Sequence, residues 1–202
     1  LAEGFEEIEA VTVIDVLRRA EVYVELVAAS AQNVQGAHGL DFYASMGVEE
    51  ALENQWDAVI CPGGLPGSHN LQSTPLVLQL LRTQKARGGI VAAICAAPIV
   101  LAEAKVLAGV RVTCYPGFED QLGKVSYCED DVVDDNDVIT SRGVGTSLKF
   151  ALKLVERICS PEKAKERSNR KGRSTTGASS AVWSVVRALF CSPIRICHRS
   201  VR

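Results

Sequence analysis

Apolar and polar positions follow two alternating periods along this chain. Ile8, Val11, Ile14, Val16 and Leu17 recur at three- and four-residue steps up to Arg18 and Arg19, which predicts an amphipathic first helix. Glu6, Glu7 and Glu9 crowd its first turn, where the helix dipole favours acids, and the arginines suit its end. Val22 to Ala29 alternates and predicts a strand, followed by a weaker strand pair over Val34 to Ala44, interrupted by Gly36 and Gly39. Asp57 to Cys61 predicts a strand running into PGGLPG, a tight βα loop, and Pro75 to Gln84 a helix. Ile90 to Ile94 is a short apolar run behind Gly88 and Gly89, the pattern of a buried parallel strand. A helix over Ile99 to Val106 and short strands at Arg111 to Cys114, Val125 to Cys128 and Val138 to Ser141 follow, the last after a polar turn at Asp134 to Asp137. A closing helix is predicted from Gly145 to Ile158. Strand and helix alternate throughout, which predicts an α/β fold with a doubly wound, mostly parallel sheet.

The chain is organised around Gly88 to Lys105. Pro98 cannot continue a strand ladder but suits the first turn of a helix, so Cys95 falls on a strand-to-helix hinge. Ala92, Ala93, Ala96 and Ala97 are small enough to permit the sharp turn of a nucleophile elbow. At a helix N-terminus the peptide dipoles favour an anion, so this thiol is expected to ionise more easily than a free one. The alternative is that Cys95 is a small core hydrophobe.

Charge divides the chain. Residues 1–160 hold 22 acidic and 12 basic residues, a balance of −10, whereas residues 161–202 hold 2 acidic and 10 basic, a balance of +8. That asymmetry puts a domain boundary near Ser160 and Pro161, with a domain over 1–165 and a basic tail over 166–202. RSNRKGRSTTGASS has a linker's composition, and AVWSVVRALF after it is apolar for only ten residues, which leaves open a weak amphipathic anchor, a basic interaction arm or a disordered terminus. No apolar run approaches the ~20 residues needed to span a bilayer. Seven cysteines without a C-x-x-C pair argue against a disulfide framework and a zinc site, and point to a reducing compartment. His38 and His69 read as solvated loop residues, and no metal-binding cluster is evident.

LAEGFEEIEAVTVIDVLRRA, VICPGG, IVAAICAAP and VITSRGVGTS, in this order, resemble the ThiJ/PfpI superfamily, most closely its DJ-one (parkinsonism-associated deglycase) branch. The resemblance covers roughly residues 1–165 and implies a flavodoxin-like three-layer sandwich, a homodimer and no cofactor. It implies that Cys95 is the nucleophile and that Glu9 hydrogen-bonds its sulfur. A carboxylic acid beside a thiolate shares its proton, which suits Glu9 as a proton carrier. Glu6 and Glu7 read as solvated first-turn charges. Gly64 and Ala96 match positions whose N–H groups form an oxyanion hole. Arg19 matches an arginine that approaches bound anions near the cysteine, and by position it is equally a helix C-terminal charge. The SRGVGT loop reads as structural.

Three departures bear on function. Tyr115 stands where many relatives place a histidine near the cysteine; as a poor base at neutral pH it leaves general-base work to Glu9 and takes a supporting place. The family's first strand, which would immediately precede Leu1, is missing from the sequence, so neighbouring strands are expected to show unpaired edges, and the chain reads as a fragment, for which half of a plant-type tandem is one origin. The basic tail replaces the family's short C-terminal segment. No histidine follows Cys95 before His198, which excludes the class I amidotransferases, and Ala96 after the nucleophile excludes the intracellular protease branch.

Two functions are expected from these residues. One is cofactor-independent conversion of methylglyoxal or glyoxal, a small aldehyde, to a hydroxy acid, with related deglycation, in carbonyl and oxidative stress defence. The other is a non-enzymatic redox sensor or chaperone-like protein in which Cys95 is oxidised. Neither needs nucleic acid or a membrane span, and the expected location is cytoplasmic, with nucleus or chloroplast as alternatives.

Overall fold

The computed structural model describes residues 1–159. The expected boundary at Ser160, the 166–202 tail and His198 lie outside the described residues. Helix α1 (Glu7–Arg19) leads to β1 (Val27–Ala28), the hairpin β2 (Asn33–Gln35) and β3 (Asp41–Tyr43), then β4 (Met46–Gly47) and α2 (Val48–Glu53). β5 (Ala58–Cys61), α3 (Gly67–Gln72), α4 (Pro75–Ala86), β6 (Ile90–Ile94) and α5 (Pro98–Glu103) form the middle of the chain. β7 (Arg111–Val112), β8 (Ser126–Tyr127), β9 (Val132–Asp135), β10 (Val138–Ser141) and α6 (Ser147–Ile158) complete it.

The central sheet runs β5-β6-β10-β9, parallel except for the antiparallel β9–β10 pair. Every residue of β6 is inaccessible to solvent, as its apolar run predicts for an interior parallel strand. Its side chains alternate between two layers. Ile90, Ala92 and Ile94 pack with Val13 and Leu17 of α1 and Phe150 and Leu154 of α6, while Val91 and Ala93 pack with Leu81 of α4 and Ile99 of α5. Helices thus cover both faces of the sheet, giving the expected three-layer α/β sandwich. Burying a side chain such as Ile90 or Ile94 contributes about 1.5–3 kcal/mol, which makes this strand the structural anchor of the site.

Several elements depart from expectation. Of Val22 to Ala29 only Val27–Ala28 enters a ladder, pairing with β4, and β5 is an edge strand of the central sheet. Between them lies a cavity of about 1340 Å³ lined by Leu1, Leu17, Val24, Leu26, Ala58 and Ile60 among others. A strand needs a partner to form a ladder, so alternation alone does not make 22–26 one. β9 was hidden inside the acidic run; Asn136 and Asp137 at φ 49° and 58° form the two-residue turn that folds it back on β10. The predicted PGGLPG loop leads straight into α3, and the helix expected to reach Val106 stops at Glu103, with Lys105 at φ 60°. No described helix is long and apolar enough to cross a membrane.

Candidate active site

Cys95 follows the last residue of β6 and carries φ +63°, a left-handed backbone that costs a non-glycine residue about 1–2 kcal/mol. The strained hinge is held from both sides. Its N–H donates to Ser141 O at 2.9 Å and its carbonyl accepts from Tyr115 N at 2.8 Å. Pro98 opens α5 three residues on, as its missing N–H allows. The elbow geometry expected from the small neighbours is therefore present, and the sulfur is half-buried while Cys61 and Cys114 are buried.

Glu9 reaches the sulfur from the buried face of α1 and is itself inaccessible to solvent. Its Oε2 accepts from Gly63 N at 2.8 Å, and its carboxyl interacts with the Cys95 thiol. Oε1 is buried without a hydrogen-bond partner of standard geometry among the described residues. Burial pushes the carboxyl up to about 7, against the Gly63 and Cys95 hydrogen bonds that lower it. Burial and the adjoining Glu9 charge push the Cys95 thiol up to about 12, against the N–H groups of Gly64 and Ala96 that donate to the sulfur. The easily ionised lone thiol expected from the helix dipole is thus replaced by a coupled pair: between these two steps the pair holds one proton and one negative charge. The two N–H groups at sulfur work against the rise and favour the thiolate form of Cys95.

The glycines of the β5–α3 loop allow this approach. A Cβ on Gly63 would stand 2.5 Å from Cys95 Cβ and 2.6 Å from Glu9 Oε2. Gly64, at φ +91°, would drive a side chain to 2.3 Å from Glu6 N. Ala96 is buried with its N–H at the sulfur, so the residues expected at the oxyanion position stand together with Cys95 and Glu9.

Tyr115 also reaches the site: its ring borders Gly143 beside Cys95 and lies edge-on to Phe118 at 6.5 Å. Arg19 does not. It closes α1 ten residues beyond Glu9, about 15 Å along the helix at 1.5 Å per residue. There it pairs with Asp15 at 2.8 Å in an exposed i,i+4 bridge.

Sequence reasoning missed Glu7 and His38. Glu7, read as a solvated charge, is buried, and it accepts from His38 N at 2.6 Å and His38 Nδ1 at 2.8 Å. Burial alone works to raise this carboxyl; the hydrogen bonds from His38 and from Leu40 N outweigh it and hold it at about 2. Glu7 therefore straps the β2–β3 turn to the helix end that carries Glu9. The near-absence of side chain at Gly36 makes room, since a Cβ there would meet Glu7 Oε1 at 2.3 Å. No periodic signal distinguishes such an acid from its exposed neighbours. Glu6, Glu7 and His38 are also the one group among the described residues with ligand atoms close enough to hold a metal ion. Glu7 and His38 already satisfy one another there.

Comparison with known proteins agrees with this geometry. Protein dj-1beta of Drosophila melanogaster is 40% identical over 169 residues, 82% of this chain and 90% of that protein. Its crystal structure superposes with a TM-score of 0.76, covering 87% of this chain and 96% of that one. The glutathione-independent glyoxalase DJR-1.2 of Caenorhabditis elegans is 39% identical over 163 residues, 80% of this chain and 87% of that protein. The oxidized form of Toxoplasma gondii DJ-1 superposes with a TM-score of 0.76 at 33% identity, covering 86% and 96% of the two chains. The DJ-1/PfpI family model matches residues 1–157, the whole of the sandwich up to the last turn of α6. A cysteine elbow met by a buried glutamate, on a sheet that superposes on these relatives, is carried by a chain that belongs to the DJ-1/PfpI family.

Proposed function

We propose that this protein is a cofactor-independent glyoxalase and deglycase acting on small 2-oxoaldehydes. The observation that carries the reading is the Cys95–Glu9 pair: a half-buried thiol at a strained hinge beside a buried carboxyl, with two N–H donors at the sulfur. The Cys95 thiolate adds to the aldehyde carbon, forming a C–S bond as the carbonyl π electrons move to oxygen. Gly64 and Ala96 N–H groups stabilise that oxyanion. Glu9 gives the shared proton to that oxygen and, now a carboxylate, takes the proton from the former aldehyde carbon and returns it to the neighbouring carbon, while the hydroxyl proton passes to the second oxygen, leaving a thioester. Water cleaves the thioester, releasing the 2-hydroxy acid and the thiol, so methylglyoxal and water give lactate with no external oxidant. The glyoxalase relative from Caenorhabditis elegans supports this reading. Purified protein is expected to consume methylglyoxal, and Cys95→Ala to lose that activity to the level of buffer. Equal consumption by the variant would refute the mechanism.

A second reading is favoured by accessibility. Cys95 combines partial exposure with the buried Glu9 carboxyl, whereas Cys128, also partly exposed, faces the exposed Asp130 at 3.7 Å; the Cys95 setting suits oxidation to sulfinate. Mild peroxide followed by peptide mapping is expected to place the first oxidation at Cys95. Equal oxidation at Cys61, Cys114 or Cys128 would remove the sensor reading.

A homodimer is part of the proposal. Ile8 and Val11 on the outer face of α1 and Leu40 at the β2–β3 turn are exposed apolar side chains near one another in the fold, suited to a second copy.

A further inference from the structure

The loop Ser141 to Thr146 takes no part in the mechanism above, yet one of its residues borders the sulfur. A Cβ built on Gly143 would stand 3.2 Å from Tyr115 Cδ2 and 3.9 Å from Cys95 Sγ. Gly143 and the Tyr115 ring therefore form one wall beside the nucleophile. The other sides are occupied: Gly63 and the Glu9 carboxyl crowd one, and the Gly64 and Ala96 N–H groups another.

A tetrahedral adduct has to distribute its substituents among these sides. Its carbon carries sulfur, oxygen, hydrogen and the acyl arm of the aldehyde. The oxygen belongs with the two N–H donors and the hydrogen with Glu9. The acyl arm and its substituent are left to the wall of Gly143 and Tyr115.

The two halves of the wall differ in rigidity. Thr146 Oγ1 accepts from Gly143 N at 3.1 Å and donates to Gly143 O at 2.9 Å, and Thr146 N donates to the same carbonyl at 2.9 Å. Ser141 Oγ holds Thr146 Oγ1 in turn at 2.7 Å. Tyr115 is anchored through its backbone to Cys95 O, while its residue is 49% exposed, so the ring can swing outward.

We propose that Gly143 and Tyr115 determine substrate specificity: Gly143 supplies fixed room for a small apolar substituent on a 2-oxoaldehyde, and the Tyr115 ring limits its size. This rests on the reading of Cys95 as the nucleophile toward aldehydes. It gives the SRGVGT loop a role in selection.

The test compares kcat/KM for glyoxal, methylglyoxal and phenylglyoxal in the native protein, Gly143→Ala and Tyr115→Ala. One misplaced methyl in a close-fitting site changes discrimination by roughly 10–200-fold. Gly143→Ala is expected to lower the methylglyoxal-to-glyoxal ratio by about 10-fold or more. Tyr115→Ala is expected to raise the phenylglyoxal-to-methylglyoxal ratio by about 10-fold. Unchanged ratios in both variants, whatever the absolute rates, overturn the proposal. The two variants also act in opposite directions, so misfolding of one leaves the other decisive. If the native protein turns over none of the three aldehydes, the enzymatic reading falls and the wall is tested on the thiol alone. Alkylation of Cys95 by iodoacetamide and by its N-phenyl derivative then replaces turnover. Gly143→Ala is expected to slow the larger reagent selectively, and equal slowing overturns the wall.

Discussion

Glu9→Gln is expected to abolish aldehyde turnover while making the protein more stable at alkaline pH. Gln keeps an acceptor for the Gly63 N–H but carries no exchangeable acid proton, and loss of a positioned proton carrier costs about 10²–10⁴-fold in rate. The stability effect follows from the raised carboxyl, which moves from an ordinary 4.5 to about 7 on folding. Below 4.5 the folded and unfolded chains both hold the proton, and the full contribution to stability is present. As pH rises toward 7 the unfolded chain releases a proton that the folded chain retains, so native stability declines. Above pH 7 the loss is on the order of 3 kcal/mol, because Glu9 is fully buried and each pKa unit is worth about 1.4 kcal/mol. Gln does not titrate, so denaturant melts of the variant are expected to lack this decline between pH 5 and pH 8. Retained methylglyoxal turnover in the variant would rule out Glu9 as the proton carrier. Parallel pH profiles of stability would show that its carboxyl does not change its proton affinity on folding.

Extending the chain at Leu1 by about six apolar, β-branched residues is expected to raise its melting temperature and sharpen the transition. The cavity between residues 22–27 and β5 is flanked by strand segments whose facing edges have no ladder partner among the described residues. Leu1 already marks the register. Its nitrogen donates to Val27 O at 2.5 Å and its carbonyl accepts from Ala29 N at 2.8 Å, the slanted bonding of a parallel pair. An added strand would continue that pattern and join β1 and β5 into one sheet. Each buried side chain contributes about 1.5–3 kcal/mol, against roughly 1–2 kcal/mol for ordering each residue's backbone. Ladder bonds on both edges add about 1 kcal/mol each, so a net gain of several kcal/mol is expected. For a domain of this size that corresponds to roughly 10 °C. An extension of Gly and Ser of equal length is the control. Equal melts for the two extensions would show that the cavity does not accept a strand.

Much of this architecture was legible in order along the chain. The continuous apolar run of β6, flanked by glycines and followed by Pro98, places Cys95 at a hinge by local chemistry alone. The period of α1 predicts the helix, but Ile8 and Val11 of its expected apolar stripe lie exposed while Glu9, Val13 and Val16 are buried, so Glu9 was placed beside Cys95 by the family resemblance and not by the period. The hairpin over residues 33–43 and helix α6 likewise follow from alternation and helical spacing.

What stayed hidden depends on neighbours distant in sequence. Val22 to Leu26 has the alternation of a strand, yet strand formation is decided by who pairs with it. Glu7 and Glu9 are both acids of one helical turn, and only the β2–β3 turn and the β5–α3 loop distinguish Glu7, the partner of His38, from Glu9, the neighbour of Cys95. Gly143 reads as a loop glycine until folding sets it 48 residues downstream of Cys95, against the same sulfur. The sequence by itself determined the layers and the strand-to-helix hinge at Cys95, because these rest on periodicity and on residue types within a few positions. Only the tertiary structure decided the burial of Glu9 beside Cys95, the strap at His38 and the wall at Gly143, because these arise from dielectric, charge and steric contact between segments that meet only when the sheet is formed.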